Sequence, residues 1–210
     1  IMYDTVIFDM DGTLLDTLDD LTSAVNHTLK QYDYPVHTKE EVRSFIGNGI
    51  NRLMKNATPD DIDDETFDRV FHSFKEYYTA HPVIHTEPFS GILPMLKTLQ
   101  QKGIKTAIVS NKNIEAVKAL NEQFFSDYIR IAIGEKDGIR RKPYPDTLFE
   151  AMRLLDAGKT LYVGDSVVDK QTADNAGVDC VLVRWGYGSD IDSLHPTRII
   201  DKPDELLDML

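Results

Sequence analysis

The 210-residue chain is short of cysteine, of long apolar runs and of positive charge, and each shortage excludes something. A single cysteine, Cys180, rules out an intrachain disulfide and suits a reducing, cytoplasmic setting. Its surroundings, Val178-Asp179-Cys180-Val181-Leu182-Val183, give it the character of a small buried hydrophobe. No apolar stretch approaches the length of a membrane-spanning helix, and no leader peptide is visible. Lys+Arg number 23 against 35 Asp+Glu, a net charge of −12. That balance argues against a broad nucleic-acid or anionic-membrane surface. An anionic ligand would need a local positive site against this background. Internal repeats and low-complexity segments are absent too. At this length the chain can bury a sizeable core in one or two domains, and the sequence leaves monomer and homodimer both open.

What the chain does have is a concentrated chemistry at Phe8-Asp9-Met10-Asp11-Gly12-Thr13-Leu14-Leu15-Asp16. Val6-Ile7-Phe8 reads as a short buried strand. Residues i and i+2 of an extended chain point the same way, so Asp9 and Asp11 face one site past the strand end. Gly12 breaks the strand and lets backbone approach a ligand. Two close carboxylates repel unless a cation neutralises them or one keeps a proton. A divalent cation, with one carboxylate ionised and the other acting as acid or base, satisfies both demands.

The pattern then turns helical. Leu18, Leu21, Val25, Thr28, Leu29 and Tyr32 make one amphipathic face, ended by Tyr34-Pro35. Lys39 to Phe45 and Ile50 to Ala57 predict two shorter helices around Gly47-Asn48-Gly49. Thr58-Pro59-Asp60 reads as the start of a longer one, with Ile62, Phe67, Val70, Phe71, Phe74, Tyr77 and Tyr78 as a core stripe and Pro82 as its stop. Residues 17–81 therefore read as an all-helical domain inserted into a second domain made of 1–16 and 82–210. From Phe89 strands and helices alternate. Strands are expected at 104–109, 128–133, 160–163, 178–183 and 198–200. Helices are expected at 91–102, 113–124, 145–155, 169–176 and from Pro203. Such alternation implies an α/β fold with a parallel, Rossmann-like sheet, whose ligands bind beyond the carboxyl ends of the strands.

Three more motifs fall at those ends: Ser110-Asn111 after Ala107-Ile108-Val109; Arg140-Arg141-Lys142-Pro143-Tyr144-Pro145; and Val163-Gly164-Asp165-Ser166-Val167-Val168-Asp169. Together with Asp9-Met10-Asp11-Gly12-Thr13 they resemble, in order and spacing, the four motifs of the haloacid dehalogenase (HAD) superfamily. The resemblance implies an HAD core with an inserted helical C1 cap, and a Mg²⁺-dependent phosphotransferase. It implies that Asp9 is the nucleophile, passing through an aspartyl-phosphate, and that Asp11 is the general acid and base. Ser110 and Lys142 would balance charge on the transferring group. Mg²⁺ would be held by Asp9, the Asp11 carbonyl and Asp165, with Asp169 orienting a metal-bound water or Lys142. Thr13 and Asn111 are expected at the substrate. An acid at Asp11 favours phosphoryl transfer over dehalogenation, whose halide leaves without a proton.

Phe45-Ile46-Gly47-Asn48-Gly49, Tyr77-Tyr78-x-x-His81 and Pro88-Phe89-x-Gly91 resemble the phosphoglycolate phosphatases. A small phosphorylated metabolite, 2-phosphoglycolate first, is the substrate this implies. Pyrophosphate, sugar phosphates, a β-phosphoglucomutase-like transfer and a catalytically silent binding role remain the alternatives. Gly47, Asn48 and Gly49 precede a predicted helix whose N-terminal N–H groups can meet a second negative charge. Arg52, in the first turn, works slightly against the helix dipole and so is assigned to the ligand.

Overall fold

The computed structural model describes residues 2–81 and 83–210. The chain divides into two compact units, one of residues 1–15 and 88–210 and one of residues 16–87. Ile1 and the expected helix stop at Pro82 lie outside the described residues.

The first unit is built on six parallel strands: β1 (Thr5–Phe8), β4 (Lys105–Asn113), β5 (Ile131–Glu135), β6 (Thr160–Gly164), β7 (Asp179–Val183) and β8 (Arg198–Ile200). Their order across the sheet is β5-β4-β1-β6-β7-β8. β1 is central, with Phe8 beside Ile108 of β4 and Val163 of β6. All four of its residues are buried, as both faces of a parallel sheet are covered. On one face Ile7, Val109, Ile133, Tyr162 and Leu182 pack with Leu148 and Ala151 of α7 (Asp146–Leu155) and Ala173 of α8 (Val167–Ala176). Helices α5 (Ile92–Gln101) and α6 (Ile114–Phe124) complete this unit. The strand after α5 runs four residues past the expected Val109, so the Ser110-Asn111 motif lies within β4. α8 begins two residues before the expected Asp169. The segment from Pro203 to Met209 is 3₁₀ rather than α.

The second unit holds α1 (Leu18–Gln31), α2 (Lys39–Phe45), α3 (Gly49–Ala57) and α4 (Asp64–Ala80). Leu21, Val25 and Leu29 of α1 and Phe67, Val70 and Phe74 of α4 form buried stripes at helical spacing. One expected boundary moves. Thr58 closes α3, its N–H bonding Met54 O at 3.0 Å, and α4 is preceded by its N-cap Asp63, whose carboxylate accepts from Thr66 N at 2.8 Å. Thr58-Pro59 is therefore a stop, because a carboxylate at Asp63 satisfies an orphan N–H that proline cannot. His37 ties the helices together: its ring nitrogens meet Glu41 Oε2 at 2.7 Å and Ala57 O at 2.8 Å. The two short strands β2 (Leu15–Asp16) and β3 (Glu87–Pro88) pair where the chain crosses between the units.

Candidate active site

Every strand of a parallel sheet ends on the same edge, so β1, β4 and β6 deliver their terminal residues to one place. Asp9 follows β1 directly, its N–H bonded to Val163 O at 2.9 Å. Beyond it the backbone turns back, with Gly12 N on Leu15 O at 2.9 Å. Gly12 sits at φ +81°, and a β-carbon there would collide with the Asp165 carboxylate and the Tyr187 ring. Only glycine serves this turn.

Lys142 is the hub. Its side chain is 3% exposed, and its ammonium lies 3.0 Å from Asp9 Oδ1 and 2.9 Å from Asp169 Oδ1. It also donates to Tyr162 Oη at 2.9 Å and Val109 O at 3.3 Å. Asn111 clamps the lysine's backbone from both sides: Lys142 N donates to Asn111 Oδ1 at 2.8 Å, and Asn111 Nδ2 donates to Lys142 O at 3.0 Å. Burial disfavours the ammonium, but the Asp169 and Asp9 carboxylates outweigh it and raise its pKa, so Lys142 stays charged.

Asp169 is the buried anchor of that lysine. Its Oδ1 accepts from Lys142 and from Tyr162 Oη at 2.7 Å. Its Oδ2 accepts from Asp165 N at 2.9 Å and from the N–H and hydroxyl of Ser166 at 3.3 Å each. Burial alone would push its carboxyl up; Lys142, Tyr162 and these donors hold it below the usual range. Gly164 leaves the room, since a β-carbon there would overlap the Asp169 side chain.

Asp165, at the end of β6, is pushed up to about 7 by burial and by the Asp169 charge. Its Oδ1 accepts from Thr13 Oγ1 at 3.2 Å and its Oδ2 from Tyr187 N at 2.8 Å. Asp9 is raised well above the normal range, by burial first and then by Asp169, although Lys142 pulls it down. Asp11 pairs through Oδ2 with Lys112 Nζ at 3.3 Å. Ser110 is buried, and its hydroxyl accepts Lys112 N at 3.1 Å, leaving its proton to donate. Four carboxylates face two ammonium groups; with all four ionised the excess is two negative charges, which one divalent cation would balance. Oxygens of Asp9, Asp165 and Asp169 lie within 4.8 Å of one another.

Asp9, Asp11, Ser110, Lys142, Asp165 and Asp169 are thus brought together at one sheet edge. Two residues expected at the substrate have side chains bonded within the protein. The Asn111 amide is committed to the Lys142 backbone, and the Thr13 hydroxyl to Asp165, while Thr13 O accepts Trp185 Nε1 at 3.0 Å. Both side chains brace the site. Gly47, Asn48, Gly49 and Arg52 belong to the other unit; Gly47 and Gly49 have φ of +133° and +82°, α3 starts at Gly49, and Arg52 is exposed.

Sequence reasoning missed three contributors. Tyr162 was hidden as one apolar residue in a buried strand. Lys112 carries no pattern of its own. The segment Trp185-Gly186-Tyr187-Gly188 does carry a signal, alternating glycines after a strand, and β-carbons at Gly186 or Gly188 would strike Asp165.

A parallel sheet with a carboxylate cluster and a buried lysine at its strand ends defines a Rossmann-like α/β enzyme with its reaction centre there. Residues 6–183 match the family model of haloacid dehalogenase-like hydrolases. The phosphoglycolate phosphatase of Aquifex aeolicus is 30% identical over 98% of this chain and 95% of its own. That of Neisseria gonorrhoeae is 34% identical over 98% and 92%. A crystal structure from Lactobacillus delbrueckii subsp. bulgaricus, provisionally named phosphoglycolate phosphatase, superposes with a TM-score of 0.92 at 38% identity, over 98% of this chain and 97% of that one. The chain belongs to the haloacid dehalogenase-like hydrolase family.

Proposed function

We propose that the protein is a Mg²⁺-dependent phosphate monoester hydrolase acting on 2-phosphoglycolate through an aspartyl-phosphate on Asp9. The observation that carries this reading is the Lys142 ammonium 3.0 Å from Asp9, held in place by Asp169. A buried carboxylate is a nucleophile only when ionised; Lys142 already pulls against the raised pKa of Asp9, and a divalent cation at the same carboxylate would favour the ionised form further. The names of the relatives support the substrate.

The donor set suits Mg²⁺, which prefers hard oxygen ligands and keeps several waters. Asp9 and Asp165 would hold it with the Asp11 carbonyl; Asp169, whose oxygens already take five donors, would act from behind through Lys142. When bound, the ion neutralises charge between nucleophile and phosphate. Asp9 attacks phosphorus while Asp11 gives a proton to the departing alkoxide; Asp11 then takes a proton from the water that cleaves the acyl phosphate. Lys142 and the Ser110 hydroxyl hold the transferring oxygens. Residues 17–81 are read as the C1 cap, and Gly47, Asn48, Gly49 and Arg52 as its substrate-binding residues. The protein acts in the cytoplasm, as a monomer or homodimer.

The test is phosphate release from a panel of small esters with Mg²⁺. Hydrolysis should stop with EDTA, and Asp9→Asn should lose roughly 10⁴-fold or more in kcat with unchanged melting. Near-normal turnover by a folded Asp9→Asn protein would remove the mechanism.

A further inference from the structure

The cluster at the strand ends contains a cation to which the reaction scheme gives no task. Lys112 stands in β4 two residues beyond Ser110, and its side chain is 8% exposed. Its ammonium lies 3.3 Å from Asp11 Oδ2. Asp11 Oδ1 is buried and has no hydrogen-bond partner among the described residues. The two oxygens are therefore unlike. Oδ2 is the ion-paired one, and Oδ1 is the one open to carry a proton to a leaving oxygen.

A leaving oxygen at Oδ1 sits one carboxylate's width from the oxygen that Lys112 holds. In the phosphate ester of a 2-hydroxy acid, the substrate carboxylate hangs on the carbon that bears the leaving oxygen. Its charge stays about one hydrogen-bond length from that oxygen. An ammonium has three donors, so Lys112 can hold Asp11 and a second carboxylate together. Lys142 already has its task at Asp9 and the transferring oxygens. In a site this dry, a charged contact counts for more than at the surface.

We propose that Lys112 is a specificity-determining residue that recognises a carboxylate on the carbon bearing the leaving oxygen, and so selects phosphate esters of short 2-hydroxy acids. The proposal rests on the phosphatase reading above and extends it to the leaving group. Esters of the same length without the charge, or with the carboxylate one carbon farther out, lose the contact.

The experiment compares kcat/KM for 2-phosphoglycolate and for ethyl phosphate, which differ in that carboxylate, in the wild type, Lys112→Gln and Lys112→Arg. In Lys112→Gln the ratio of the two should fall about ten- to a hundredfold, chiefly through KM for phosphoglycolate, with partial recovery in Lys112→Arg. Lys112→Met, which keeps the unbranched stem, decides the matter should the glutamine variant not fold. An unchanged ratio overturns the proposal. So does an equal loss on both alkyl esters with p-nitrophenyl phosphate spared, since Lys112 would then serve Asp11 alone. Either outcome leaves the phosphoglycolate reading standing. A wild type that hydrolyses p-nitrophenyl phosphate yet favours ethyl phosphate over phosphoglycolate sinks that reading and this proposal together.

Discussion

Tyr162 shows how much one hydroxyl can carry. It accepts from Lys142 and donates to Asp169, and burial followed by the Asp169 charge raises its pKa well above the normal value, so it remains a donor. Tyr162→Phe keeps the ring and removes both bonds. A buried network that loses a member in this way typically costs about 1–3 kcal/mol. Urea unfolding of the variant should show that loss. Phosphate release should fall on the order of tenfold, because Lys142 keeps Asp169 but loses one of its constraints. Unchanged stability would mean that the lysine is held by its carboxylates alone.

Among the elements, α1 does more than bury an apolar stripe. Asp20, on its buried face, accepts from the N–H groups of Ile84, His85 and Thr86 at 3.2, 3.0 and 2.8 Å, and from Thr86 Oγ1 at 2.6 Å. One carboxylate thus satisfies three successive backbone donors in the segment that leads to β3. Burial works to raise the Asp20 pKa, but the bonds from Thr86, His85 and Ile84 outweigh it and lower it. The stabilisation it supplies is therefore present above the ordinary carboxylate pKa and is lost as pH falls through the lowered value. Asp20→Ala should destabilise the protein by roughly 2–4 kcal/mol at neutral pH, with a smaller difference in acid, read by thermal melting at both. Equal melting of variant and wild type at neutral pH would deny this carboxylate its anchoring role.

For the whole molecule, the charge excess of the site sets how stability responds to pH and metal. With Asp165 at about 7, the folded protein holds a proton that the unfolded chain releases near pH 4. Metal-free stability from this group is full below about 4 and is lost as pH rises toward 7. A divalent cation binds the ionised form and reverses that loss. The gain in Tm from saturating Mg²⁺ should therefore be larger at pH 8 than at pH 5.5. A gain that shrinks with rising pH would contradict both the metal assignment and the Asp165 environment.

The six strands of the main sheet, though not the full extent of β4 or the start of β5, the order of the four motifs and the gathering of Asp9, Asp11, Lys142, Asp165 and Asp169 at the strand ends were legible in the sequence, because they rest on local rules. Apolar runs mark buried parallel strands, glycine marks tight turns, and ligands gather at strand ends. Even the misread start of α4 was a local contest, between proline at 59 and an Asp63 cap. What only the tertiary structure decided lies between residues far apart in the chain. Asn111 meets the backbone 31 residues on, Thr13 meets Asp165 152 residues on, and the 185–188 loop closes over that same carboxylate. Lys112 next to Asp11, and Tyr162 between Lys142 and Asp169, follow from the packing of β4 and β6 on either side of β1. A side chain's role there is set by which strand end lies opposite it, and that is a property of the assembled sheet.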